Sequence, residues 1–117
     1  MRFVITGVDY APDDLHPQVP IRGRILRSLS VVGGSDHHLA ELDDPLDWTK
    51  EGERKSVTHL VLGARWVGGA ISASMRLAPV NICYVTDESI LGDSTLDAKK
   101  CAFVAVGLAD GEAEPNQ

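Results

Sequence analysis

Glycines gather at Gly63, Gly68 and Gly69, between the apolar runs Val57–Leu62 and Val80–Val85. Read as strand, turn and helix, this is where a phosphate would rest on a helix N-terminus, drawn by free backbone N–H groups and the macrodipole. The residue types depart from both phosphate loops of that kind. A Walker loop needs Lys and Ser/Thr directly after its second glycine, to meet phosphate and magnesium; Gly69 and Ala70 follow Gly68. A dinucleotide loop needs glycine two positions after the first, and Arg65 stands there, bulky enough to crowd a pyrophosphate. Asp87, just past the next apolar run, sits where a ribose-binding acid would. A nucleotide-handling enzyme or hydrolase using residues 63–69 is therefore the alternative reading, not the leading one.

Asp36-His37-His38, followed by Glu41, Asp43, Asp44 and Asp47, offers imidazole and carboxylate, both ordinary metal ligands. On a strand His37 and His38 point to opposite faces, so only one can join a given site. The acids read as a solvated turn, and His16 and His59 have no sequence relation that brings them in. No metal and no cofactor is assigned. Ser72 and Ser74 lack the glycine two positions on that a nucleophile elbow requires, and no catalytic residue is assigned either.

Arg22, Arg24 and Arg27 form a basic cluster. On a strand Arg22 and Arg24 share a face about 7 Å apart, a spacing that suits a phosphate or carboxylate. The plain alternative is an exposed face whose charge discourages strand pairing. Arg65 and Trp66 add a cation and an aromatic in the glycine-rich segment, so the candidate ligand- or partner-binding residues are Arg22, Arg24, Arg65 and Trp66. Cys83 and Cys101 lie inside apolar segments without companions, which rules out a C-x-x-C motif or a cysteine zinc cluster. They read as reduced core thiols, with a cross-strand disulfide open if their segments are neighbours.

The elements that must position these residues are mostly strands. Arg2–Val8, Val57–Leu62, Val80–Val85 and Cys101–Leu108 are rich in β-branched and aromatic residues. Residues 9–20, with Pro12, Pro17 and Pro20, read as an irregular loop. Ile21, Ile25 and Leu29 recur at a helical spacing, but Gly23 and the β-branched Val31-Val32 favour a strand, turned at residues 33–36 into a returning strand at His37–Leu42. Asp43–Trp48 reads as a turn and Thr49–Ser56 as an exposed, charged hairpin loop. In residues 63–79, Ile71, Ala73, Met75 and Leu77 alternate with Ser72, Ser74 and Arg76, which favours strand over helix.

Composition bounds the rest. A 117-residue chain that is 44% hydrophobic can bury one core, and low-complexity disorder is excluded. No apolar run nears the ~18–20 residues of a membrane helix, and Met1-Arg2-Phe3 has no signal-peptide pattern behind it, so the expected location is the cytoplasm. A formal charge of −6 disfavours non-specific nucleic-acid binding. That charge is unevenly spread: no acid falls between Asp14 and Asp36 or between Glu53 and Asp87, which leaves room for a local anion site.

The expected fold is mainly β, a single-domain barrel or sandwich of about seven or eight short strands with room for one short helix. The alternative is an α/β sheet with helices near residues 20–30 and 69–77. Residues 1–108 form the expected globular domain and residues 109–117 an acidic, disordered tail. With no intact catalytic motif, the expected function is a non-enzymatic binding module for a protein partner or a small anionic ligand. Oligomerisation is left open.

Overall fold

The computed structural model describes residues 2–30, 37–64 and 78–112. They form a closed antiparallel barrel of six strands in chain order: β1 (Arg2–Asp9), β2 (Ile21–Leu29), β3 (His37–Lys50), β4 (Glu53–Ala64), β5 (Ala78–Val85) and β6 (Cys101–Glu112). β6 returns to β1 with Arg2 opposite Glu112 and Asp9 opposite Val106, which closes the ring and removes exposed sheet edges. The mainly β expectation holds, with six strands among the described residues, several of them longer than the sequence suggests; the strand expected through Ile71–Leu77 lies outside those residues.

The greater strand lengths have local causes. Asp43-Asp44-Pro45 carries turn chemistry yet lies inside β3, where Glu41 pairs with His59 and Leu46 with Val57. The residues between form a wide bulge, which accommodates a proline that has no N–H to give the ladder. The charged connection shrinks to Glu51-Gly52, both with positive φ, the conformation that matches the twist of a tight hairpin. At the C-terminal end β6 runs on to Glu112, so residues 109–112 belong to the barrel and not to a tail.

The helix expected by the alternative reading near residues 20–30 is overturned. Buried Ile21 and Gly23 alternate with exposed Arg22 and Arg24, the period of a strand. A Cβ on Gly23 would lie 2.2 Å from the Glu41 carbonyl oxygen and 3.0 Å from the Phe3 ring, so the glycine marks a close backbone approach in the sheet. The alternative helix at residues 69–77 lies outside the described residues. Among the described residues the helical elements are 3-10 turns at His16–Gln18, Glu88–Gly92 and Ala98–Lys100, and no helix is long and apolar enough to cross a membrane.

Two apolar clusters hold the barrel. The interior is filled by inward residues of every strand, among them Phe3, Ile21, Leu42, Leu60, Ile82 and Val104, with Leu15 brought in by the β1–β2 connection. That connection is tied to β3: Asp14 Oδ2 accepts from Thr49 N at 2.7 Å, and Gln18 Nε2 donates to the carbonyls of Asp14 and Asp47. The second cluster, Leu29, Leu39, Val61 and Ile90, covers the opposite face of β2–β4 beneath residues 86–100. Arg27 pins this cover by donating to the carbonyl oxygens of Asp93 (2.8 Å), Ile90 (3.2 Å) and Leu91. Lys100 adds an ion pair to Asp93 at 2.6 Å.

Candidate functional site

The structure separates the members of the basic cluster. Arg22 and Arg24 are exposed on one face of β2, as the strand reading requires. Arg24 stands between Arg2 of β1 and Glu41 of β3, while Arg22 stands beside Val4. Arg22 also lines a groove of about 300 Å³ with Gln18, Pro20, Asp43, Asp44 and Pro45. The β3 bulge supplies those two acids, and Asp43 pairs with Arg2. Charges of both signs therefore share this face, which weakens its field for an anion. Arg27 lies beyond the β2 register shift between Ile25 and Arg27 and is consumed in holding residues 86–100. Arg65 and Trp66 lie outside the described residues.

The glycine-rich motif begins in regular structure. Gly63 lies within β4, between His37 and Asn81 on the neighbouring strands. A Cβ there would come within 2.6 Å of His37 Nε2, so this glycine makes room for an imidazole ring packed on the sheet. Asp87 caps the 3-10 turn Glu88–Gly92 by accepting from Ser89 N at 3.0 Å, and that bond holds its carboxyl below the ordinary value. His37 and His38 do take opposite faces. His38 is 2% exposed, with Nδ1 3.4 Å from Ser28 Oγ, whereas His37 is half-buried and its Nδ1 has no hydrogen-bond partner among the described residues. His59 sits 2.9 Å from Thr58 Oγ1 through Nδ1 and 3.6 Å from Glu41 Oε2 through Nε2. Among the described residues no group of three or more His, Cys, Asp or Glu side chains is placed to hold a metal.

An aromatic cleft was not anticipated from the sequence. A cleft of about 390 Å³ opens where the ends of β1, β3 and β5 meet the start of β6, lined by Tyr10, Trp48, Lys50, Tyr84, Phe103 and Val104 among others. Tyr10 follows β1 with φ at 50°, its N–H donating to Asp9 Oδ1 at 3.0 Å, and this turn leaves the side chain 73% exposed. Trp48 is 1% exposed and meets Tyr84 edge-to-face, with centroids 5.0 Å apart. Such a pair fixes ring orientation and adds about 0.5–1.5 kcal/mol beyond area burial. The Trp48 indole N–H is buried with no partner among the described residues. Phe103, at the register shift between β5 and β6, is 51% exposed. The cleft thus presents two exposed rings beside a packed aromatic pair, with Lys50 also in its lining. Four of the chain's six aromatic residues converge there from positions 10, 48, 84 and 103. Only the barrel topology brings positions so distant in the chain together.

Cys83 and Cys101 are both free thiols on neighbouring strands. Burial and the adjoining Cys101 push the Cys83 thiol up to about 11. The Cys101 thiol is also raised by burial, against a hydrogen bond from Cys83 that lowers it.

Comparison with protein-family models, curated proteins and solved structures finds no match for this chain.

Proposed function

We propose that this chain is a non-enzymatic binding module whose aromatic cleft takes a segment of a protein partner. The observation that carries the reading is the exposure of Tyr10 and Phe103 beside the packed Trp48–Tyr84 pair. Exposed aromatics are the usual anchors of protein recognition, because each ring buries a large area at small entropic cost. Arg22 and Arg24 are a second, weaker contact surface, their charge being offset by Glu41, Asp43 and Asp44. A small anion at Lys50 or Arg22 is the lesser form of the same binding role. The reading places the protein in the cytoplasm, an environment that suits two unpaired cysteines.

A displayed random-peptide library panned against the full chain tests this. Enriched peptides should lose about tenfold or more in affinity against a Tyr10→Ala/Phe103→Ala variant that keeps the wild-type circular dichroism spectrum. Equal affinity for the variant, or no enrichment above an unrelated control protein, overturns the cleft as a peptide site. Thermal-shift titration with inorganic phosphate tests the anion form, and a shift abolished by Lys50→Ala or Arg22→Ala would favour it.

A further inference from the structure

The β5–β6 ladder brings together two sulfurs that the binding role does not use. Cys83 stands opposite Phe103, and Cys101 opposite Val85, so both cysteines share one face of adjacent strands, a diagonal step apart. Both pack at the margin of the outer cluster formed by Leu29, Leu39, Val61 and Ile90, and each thiol shifts the other's ionisation. Their position in the fold gives the contact leverage. Cys101 opens β6 directly after the 3-10 turn Ala98–Lys100, and Thr86 N donates to Lys100 O at 2.8 Å. The thiol pair therefore lies at the neck where residues 86–100 leave the barrel and re-enter it.

We propose that Cys83 and Cys101 form an oxidation site, at which a hydroperoxide converts the two thiols into an intramolecular disulfide that staples this neck. In the first step the Cys101 thiolate attacks one peroxide oxygen. An S–O bond forms, the O–O bond breaks, and the departing hydroxide takes up a proton to leave as water. In the second step the Cys83 sulfur attacks the sulfenic sulfur. The S–S bond forms, the S–O bond breaks, and the hydroxide leaves with the Cys83 proton as a second water. The thiols lose two electrons and two protons, and hydrogen peroxide is reduced to two waters.

The order of attack follows from the unequal surroundings of the two thiols. Burial and the neighbouring Cys101 hold Cys83 up at about 11, whereas Cys83 offsets part of the rise that burial imposes on Cys101. Burial raises both thiols, so the reaction is slow at neutral pH. Its rate rises about tenfold per pH unit until Cys101 has ionised. Closing the bond asks the sulfurs to approach to about 2 Å. A diagonal pair on adjacent strands starts wider than a disulfide spans, so side-chain rotation together with a strand adjustment supplies the approach.

The test uses the full chain and hydrogen peroxide. Oxidised monomer should be lighter by about 2 Da, lose both denaturant-exposed reactive thiols and recover them with dithiothreitol. It should also melt several degrees higher than the reduced form, because the bond closes the loop containing residues 84–100. Cys83→Ser should stop at a sulfenic acid that dimedone captures, and Cys101→Ser should yield no such adduct at the same rate. Disulfide-linked dimers, oxygen addition without the lighter monomer, or persistence of both thiols would overturn the site. A lighter monomer that melts no higher would overturn the staple. The wild-type mass measurement decides the chemistry even if a serine variant fails to fold.

Discussion

The arginine face and the aromatic cleft show opposite relations between local sequence and tertiary surroundings. Arg22 and Arg24 are adjacent on one strand and conspicuous as a pair, yet the neighbouring strands set Glu41, Asp43 and Asp44 among them. Tyr10, Trp48, Tyr84 and Phe103 are scattered along the chain, yet they meet in one cleft. A basic pair read along one strand says nothing of the acids across the ladder, whereas an aromatic gains its meaning only from what the closed barrel places beside it. Charge on this molecule is answered by its neighbours; aromatic surface at the cleft is partly left unanswered.

The comparison breaks first at Trp48. The cleft needs its packed aromatic pair, and one member of that pair is a core side chain. Trp48→Ala should destabilise the barrel by about 3–5 kcal/mol, the usual result of deleting a buried tryptophan. Urea denaturation measures it. A loss below about 1 kcal/mol would mean that the Trp48–Tyr84 pair is peripheral.

Arg27 and Arg24 sharpen the contrast, being the same residue type on one strand with different surroundings. The Arg27 guanidinium satisfies the carbonyl oxygens of Ile90, Leu91 and Asp93, so Arg27→Ala should cost about 2 kcal/mol and loosen residues 86–100. Arg24 is exposed, and Arg24→Ala should fall within about 0.5 kcal/mol of wild type. Denaturation midpoints compare the two, and amide exchange at Ile90 reports where the loosening lies. Equal costs would show that Arg27 does not hold the cover.

The same pattern explains how far the sequence could be read. β-branched runs announced β1, β4, β5 and β6, because burial inside a small barrel demands the residue types that favour strands. Gly23 pointed to a strand for β2, and the close approach of the Glu41 carbonyl supplies the physical reason. The β3 bulge reads as a turn in the sequence, since Asp-Asp-Pro satisfies turn chemistry equally well and only pairing with β2 and β4 separates the two. Residues 109–112 looked like tail because Ala109-Asp110-Gly111-Glu112 lacks apolar mass, yet β1 provides a ladder that any backbone can join. Of the proposed site, Arg22 and Arg24 were legible through their spacing. The cleft was not, because no local rule links positions 10, 48, 84 and 103.

Function gives the next division. Tyr10→Ala and Phe103→Ala together should weaken captured peptides about tenfold or more, equivalent to about 1.4 kcal/mol, while the melting temperature moves by only a degree or two. Arg22→Ala/Arg24→Ala should change peptide affinity by no more than about threefold, and less as salt rises. Isothermal titration measures both. A larger effect from the arginine pair would reverse the ranking of the two regions.

The smallest expected effect is acid sensitivity in the cover over the outer cluster, remote from either binding region. Ser89 N–H holds the Asp87 carboxyl below its ordinary value of 3.8, so the folded state binds this proton less readily than the unfolded chain. The cap's contribution is therefore present above pH 3.8 and is lost as pH falls through the lower folded value. Lys100 runs in the opposite sense. Its hydrogen bond to Asp93 raises the ammonium above 10.5, so that contribution is complete below pH 10.5 and disappears as pH climbs through the raised value. Between pH 3.8 and the ordinary thiol value of 9.0 the neck of the β5–β6 connection should be insensitive to pH; above 9.0 the raised Cys83 and Cys101 thiols lower stability, because the unfolded chain ionises them first. Melting curves of wild type and Asp87→Ala should differ slightly at pH 6 and converge below the folded Asp87 value, since both chains then lack the charged cap. A difference that persists undiminished at pH 2 would show that Asp87 acts through something other than its carboxylate.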